Sequence, residues 1–407
     1  MTSDSAHHPH HHGLHLPVIV AGLAMVAPFS IDTYLPSLPD IAREFQTSPL
    51  YLQQTLSAYL LAFGVMMLVY GPLSDAFGRR AVVLVSAVVY VLSSIGCALA
   101  PDAHWLLLMR VGQGLSASGG LVVGRAVIRD AFAGAAAQRV MSQVMLMFAL
   151  APAVAPVIGG WLHDAYGWRS VFWFLTLLGI ATWIGVAWLL PETLPPVGRQ
   201  SAHPRAIAAA YLHALRNGRF NILIATIALN FGGFFLYIAA SPDLLYRHLG
   251  YDAQDFGRLF IPLVAGLMAG AFLSGRMAGR FTHARAVAAG YALMLSAAAV
   301  NLVAVFFLPH AAVAVIAPVV LYAGGMSLAM PNLSLLALEV FPLRRGLAAA
   351  LQGFAQTTFN AVVAGVFAPA LSARVEWLAG GMLAMNLAGF ALWLVWRHRA
   401  SADGPLP

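Results

Sequence analysis

Two charged residues stand inside apolar runs: Asp32 in PFSIDTYLP and Arg110 in LLLMRVGQG. A charge at membrane depth costs about 2.5–3.5 kcal/mol on insertion scales, so each marks a functional position by default. An embedded carboxyl can take up and release a proton. An embedded guanidinium can hold that carboxyl or another anion. Both residues are expected about 7–8 Å below the same membrane boundary at 1.5 Å per residue, where they could pair across a central cavity. Gln113, at i+3 from Arg110, adds a second polar group to the same helix face. A static salt bridge, or snorkelling to the interface, would use the same residues and move nothing.

A second constellation is GPLSDAFGRR, with Gly71, Asp75, Gly78, Arg79 and Arg80. Asp75 falls at a helix C-terminus, where the macrodipole disfavours an anion unless a cation answers it. Arg79 is the nearest cation and Asp130 a second acid for it, which together would form a latch between helices. A basic loop that only sets orientation would not need Asp75. A third is ALAPAVAPVIGG, where Pro152 and Pro156 each remove a helical hydrogen bond and bend the chain. Gly159 and Gly160 then permit close approach of a neighbour. Gly112, Ser116, Gly120 and Gly124 make a small-residue ridge for helix packing. Tyr34, Tyr59, Gln113, Asn230, Tyr237, Asn332 and Gln356 are expected to be polar groups of a substrate cavity, since polar atoms at membrane depth need water, protein or ligand.

The elements that must carry these residues follow from composition. The chain has 407 residues, 60% hydrophobic and 9% charged, against roughly 25% charged in a soluble domain. A soluble enzyme is thereby excluded, and the single cysteine, Cys97, excludes a disulfide scaffold. The net charge of +7 comes from arginines scattered between apolar runs, which argues against nucleic acid. Twelve runs, from 15–37 to 377–396, are long enough to span a bilayer. Of the 22 arginines, 16 fall on one side if the N-terminus is inside and 5 on the other, with Arg110 in a span; both termini are therefore expected in the cytoplasm. The Pro- and Arg-rich stretch 191–219 separates two half-chains, 15–190 and 220–397, each of six spans. Residues 1–14 read as a disordered His-rich tail and 398–407 as a cytoplasmic tail. The remaining histidines fall in loops or at span ends, so no metal site is expected. The fold class is all-α: twelve transmembrane helices in two pseudo-symmetric six-helix bundles.

With these motifs in hand, the chain resembles the Bcr/CflA group of drug-resistance transporters within the major facilitator superfamily. The resemblance covers about Pro17 to Arg397. It rests on SIDTYLPSLPDI (Ser30 to Ile41), GPLSDAFGRR, Arg110–Gln113–Gly114, Ala149 to Gly160 and LPETLPP (Leu190 to Pro196). It implies export of small amphipathic drugs or antibiotics from a bacterial inner membrane, driven by the proton gradient and without a cofactor, by a monomer. It also implies a protonatable Asp32 partnered by Arg110, and a gating relay of Asp75, Arg79 and Asp130. The chain departs from the pattern at Ala151 and Ala155, where glycine is frequent, at Met67, where glutamine is common, and at Asp243, where an apolar residue is usual. A metabolite exporter or an uptake symporter would use the same fold. A receptor or scaffold that moves nothing would need neither the buried charges nor two half-bundles. An enzyme is not expected, because HExxH, GxSxG and a nucleotide-binding loop are all missing.

Overall fold

The computed structural model describes residues 15–199 and 203–402; the His-rich segment 1–14 and residues 403–407 lie outside them. Among the described residues there are no strands, and twelve helices are long and apolar enough to cross a membrane. Spans one to six run His15–Glu44, Pro49–Phe77, Arg79–Ala98, Ala103–Ala131, Gly134–Tyr166 and Arg169–Leu189. Spans seven to twelve run Gly218–Ala239, Ala253–Met277, His283–Phe307, Ala312–Glu339, Pro342–Leu371 and Val375–Arg399. Each expected run coincides with one of these helices. The largest shift is in span one, whose first helix, His15–Asp32, breaks at Thr33–Ser37 and resumes as Leu38–Glu44. The helix starts carry local signals. Ser48, Asp102, Asn217 and Thr282 each accept the backbone N–H three residues on, satisfying one donor the helix leaves open. Span five runs unbroken through Pro152 and Pro156.

The sequence repeat between the halves is sparse, but the principal packing contacts repeat. In the first half span one packs on spans four, five and six, span two on four, and span three on four and six. In the second half span seven packs on ten, eleven and twelve, span eight on ten, and span nine on ten and twelve. Adding six to every span of the first set gives the second set. Spans one and seven are the most buried, with four and ten next.

The halves meet along two further symmetry-related pairs, two with eleven and five with eight. Apart from a long mid-span contact between Thr357 and Met67, the hydrogen bonds between spans across this interface lie on the side opposite the arginine-rich loops. Gln54 Nε2 donates to the Gly365 carbonyl at 2.8 Å, and Ser57 Oγ to the Ala361 carbonyl at 2.7 Å. Pro369 has no N–H to offer Gly365 four residues back, so Gln54 supplies the missing donor. Tyr246 donates to the Pro36 carbonyl, and Gln254 to Asp164 Oδ2. Glycine sets the approach of spans five and eight: a Cβ at Gly160 would sit 1.8 Å from the Ala253 carbonyl oxygen. On the arginine-rich side no such bond joins the spans of the two halves among the described residues. There a cavity of about 450 Å³ runs along span five past Gln138, Arg139, Ser142 and Gln143.

Gly160→Val should overpack the span five–span eight contact by about 1–3 kcal/mol. The expected result is a folded, inserted protein with increased accessibility at the arginine-poor mouth, measured by labelling of cysteines introduced there. Gly22→Val, at a glycine with nothing within 4 Å of its Cβ position, is the control and should leave labelling unchanged.

Candidate functional site

Arg110 is fully buried at the centre of the first half. Its Nη1 donates to the Ser30 carbonyl at 2.9 Å and to Gln113 Oε1 at 2.8 Å. Gln113 in turn donates to Ser94 Oγ at 2.8 Å. Tyr34 and Tyr59 cover the guanidinium, with ring centroids 4.8 Å and 4.4 Å from its carbon. Tyr34 reaches this position because it sits in the break of span one, where its hydroxyl meets Thr55 Oγ1 at 2.9 Å. The arrangement joins spans one to four around one cation. Nε and Nη2 find no acceptor among the described residues.

The expected Asp32–Arg110 ion pair is not formed. The depth match itself holds, since Arg110 reaches span one at Ser30. Two residues along an α-helix are about 200° apart, however, so the face that meets Arg110 at Ser30 does not carry Asp32. Asp32 is the last residue of the first helix of span one, 4% exposed, and makes no hydrogen bond or ion pair among the described residues. The next residue, Thr33, is packed against span five: a Cβ at Gly159 would lie 2.1 Å from the Thr33 carbonyl oxygen. Gly159 and Gly160 therefore touch, respectively, the break beside Asp32 and Ala253 of the other half.

The Asp75–Arg79–Asp130 latch is present. Arg79 Nη1 lies 2.5 Å from Asp75 Oδ1, Nε 3.0 Å from Asp130 Oδ2, and Nη1 also donates to Ser74 Oγ at 2.7 Å. Gly78, at φ +98°, makes the turn that begins span three, and a side chain there would collide with Glu192. Glu192, absent from the expected site, accepts the backbone N–H of Arg79 at 2.9 Å and of Arg80 at 3.3 Å. A carboxylate at the open N–H groups of a helix start is favourable on both hydrogen-bonding and dipole grounds. Arg80 Nη2 donates to the Ala187 carbonyl, and Thr193 to Asp130. The latch thus ties spans two, three and four to the end of span six. All its members belong to the first half. It is complete while the contacts that close the molecule lie on the opposite side, so it does not by itself seal the arginine-rich mouth.

The expected cavity residues divide into three sets. Tyr34, Tyr59 and Gln113 are fully buried as the shell of Arg110. Asn230 and Tyr237 are corrected to structural roles inside the second half: Asn230 Nδ2 donates to the Tyr291 hydroxyl at 2.8 Å, and the Tyr237 hydroxyl to Asn301 Oδ1 at 2.5 Å. Asn332 lies toward the arginine-rich end of span ten, with its Oδ1 2.8 Å from His283 Nδ1. Gln356 alone among the seven is half-buried with no hydrogen bond among the described residues. It lies beside Thr357, whose hydroxyl approaches Met67 of the other half at 3.8 Å. Sequence reasoning missed Gln54 and Ser57; the signal for Gln54 was Pro369, which implies a carbonyl in need of a donor.

Comparison with known proteins agrees with this architecture. Residues 20–369 match the Major Facilitator Superfamily profile. The bicyclomycin resistance protein homolog of Haemophilus influenzae is 30% identical over 256 residues, 62% of this chain and 64% of that protein, so the match spans just under two thirds of that relative. Multidrug resistance protein D of Escherichia coli (strain K12) is 27% identical over 385 residues, 94% of this chain and 95% of that protein. The crystal structure of a D-xylose-proton symporter superposes with a TM-score of 0.71 at 16% identity, covering 93% of this chain and 97% of that one, which speaks to the fold alone. With twelve spans, two packing-equivalent halves and no enzyme among these relatives, the chain is a multi-pass membrane transporter and belongs to the Major Facilitator Superfamily.

Proposed function

We propose that this chain exports small amphipathic drugs or antibiotics across the bacterial cytoplasmic membrane in exchange for protons, as a monomer working by alternating access. The arginine-rich side and both termini face the cytoplasm. The observation that carries the reading is Asp32, a buried acid without a protein partner at the break of span one, one residue from the backbone that Gly159 of span five contacts. A carboxyl that gains or loses charge there changes the cost of holding the break in place. Span five passes that change to the contact between Gly160 and Ala253 in the other half. Proton binding can drive transport only if the two access states differ in affinity for it, and a break that moves between states provides such a difference. Arg110 acts as the fixed cation of the site: its unpartnered Nε and Nη2 can donate to Asp32 in another state, or to an acceptor atom of the cargo. Names of relatives that include bicyclomycin and multidrug resistance favour a drug as cargo. A metabolite exporter would differ only in the cavity. An uptake symporter would move cargo with the proton, and the direction of cargo-linked proton movement separates the two.

Asp32→Asn should abolish drug-induced proton release by the purified, folded protein and pH-gradient-driven efflux in proteoliposomes. Normal gradient-driven transport by this variant would remove Asp32 as the coupling group and make Asp243 the next acid to test.

Arg79→Ala removes two ion pairs and leaves Asp130 with the Thr193 hydroxyl alone. Hydrogen bonds to charged groups contribute about 1.5–3 kcal/mol each, so the thermal midpoint should fall and transport with it, with drug binding retained. An unaltered thermal midpoint with full transport would show that the latch is dispensable.

Gln356→Ala should change the relative resistance to different compounds at unchanged expression. Asn230→Ala instead leaves Tyr291 without its donor and should lower the thermal midpoint without changing preference. The reverse pattern in a drug-susceptibility panel would exchange their roles.

A further inference from the structure

The link between the halves contains a helix, Pro204–Leu215, that packs on spans seven and eleven. Its end is fastened to the second half: Asn221 Nδ2 donates to the Leu215 carbonyl at 2.6 Å, and Asn217 caps span seven through the Phe220 N–H. From this helix the Tyr211 hydroxyl reaches the first half and donates to the Leu68 carbonyl of span two at 2.9 Å. That carbonyl is available for a definite reason. Its helical donor would be residue 72, and Pro72 has no N–H. Burial pushes the Tyr211 hydroxyl above its ordinary pKa, so it remains a donor throughout the physiological range.

The depth of the contact matters as much as the contact. Leu68 is nine residues from Phe77, the arginine-rich end of span two. At 1.5 Å per residue that is about 13–14 Å into the helix. The linker helix bridges span eleven and span two on the arginine-rich side of the Met67–Thr357 contact, beyond which the spans of the two halves share no hydrogen bond among the described residues.

We propose that the linker helix Pro204–Leu215 is a strap seated in the arginine-rich opening, fastened by the Tyr211 hydroxyl to the Leu68 carbonyl that Pro72 leaves free. The strap holds the state that is closed on the arginine-poor side. When spans two and eleven come together on the arginine-rich side, the strap leaves the gap and Leu68 loses its donor. Releasing it is therefore part of the work of switching sides, and Tyr211 biases the resting population. The inference rests on the alternating-access reading but needs neither the drug nor the proton.

The test uses the full chain in lipid, spin-labelled at Leu50→Cys on span two and Val366→Cys on span eleven. Both sites lie near the arginine-poor side and are exposed, 54% and 57%, while the native Cys97 is fully buried and stays in place. Pulsed dipolar spectroscopy reads the populations of short and long separations without cargo. Tyr211→Phe should shift the distribution toward the long separation by roughly two- to tenfold, the range expected for one net hydrogen bond. Pro72→Ala, which restores a backbone N–H to Leu68, should produce a similar shift. The double variant should shift no further than either alone, because both remove the same bond. An unchanged distribution for Tyr211→Phe, or shifts that add in the double variant, would overturn the strap. Failure of drug-driven proton exchange with this pattern intact would overturn only the transport reading.

Discussion

The first half of the molecule is organised around one costly group, the fully buried guanidinium of Arg110. A cation taken out of water needs its hydration replaced, and no carboxylate does so here. Two tyrosine faces and two carbonyl-type acceptors take that place. A desolvated cation over an aromatic face gains about 2 kcal/mol or more per ring, so the pair of tyrosines is not decoration. The requirement propagates outward. Tyr34 lies under the guanidinium because span one is broken at residues 33–37. The break in turn leaves Asp32 as the last residue of a helix. Tyr59 reaches the other face because a Cβ at position 114 would lie 2.2 Å from its carbonyl oxygen, so glycine lets spans two and four approach.

Proline supplies a second organising constraint. In a membrane bulk water is not at hand for a carbonyl whose helical donor is missing, and a side chain of another segment can provide one. Three such carbonyls have donors: Leu68 below Pro72 takes Tyr211, Gly365 below Pro369 takes Gln54, and Ala314 below Pro318 lies 3.5 Å from Asn301 Nδ2. The first two join segments of different halves, one on each side of the membrane plane. Each such contact contributes only about 0.5–1.5 kcal/mol net, which would suit the surfaces that part and rejoin in the proposed alternating access. A large apolar contact would hold one state too firmly.

Much of this was legible in the sequence, and the divide between what was and what was not has a physical basis. The twelve spans were legible because length and apolarity are local properties. The latch was legible because Asp75 and Arg79 are four residues apart on one helix, a spacing at which side chains meet. Depth was legible too: Arg110 does reach span one at the level expected. Azimuth was not. Whether Arg110 meets Ser30 or Asp32 depends on the rotation of span one about its axis, which is set by packing against spans four, five and six. The same limit misplaced Asn230 and Tyr237. A polar residue in a span reads alike whether it faces a cavity or, as here, another helix's tyrosine or asparagine. Glu192 and Tyr211 were hidden for a third reason, since each acts across a long sequence separation on a backbone group, and backbone groups leave no mark of their own in a sequence.

The two adjacent glycines of span five are where these constraints meet. Neighbouring positions on a helix are about 100° apart, so Gly159 and Gly160 present different faces. One face lies on the backbone of Thr33 in the first half and the other on the backbone of Ala253 in the second. Both contacts are backbone against backbone, and neither has a side chain whose rotamer could absorb a displacement. A shift of the break beside Asp32 must therefore move span five or open one of the two contacts. Packed interfaces respond to such shifts by switching between discrete arrangements rather than by bending. A buried acid at that break can thus bias a contact between the two halves without touching it.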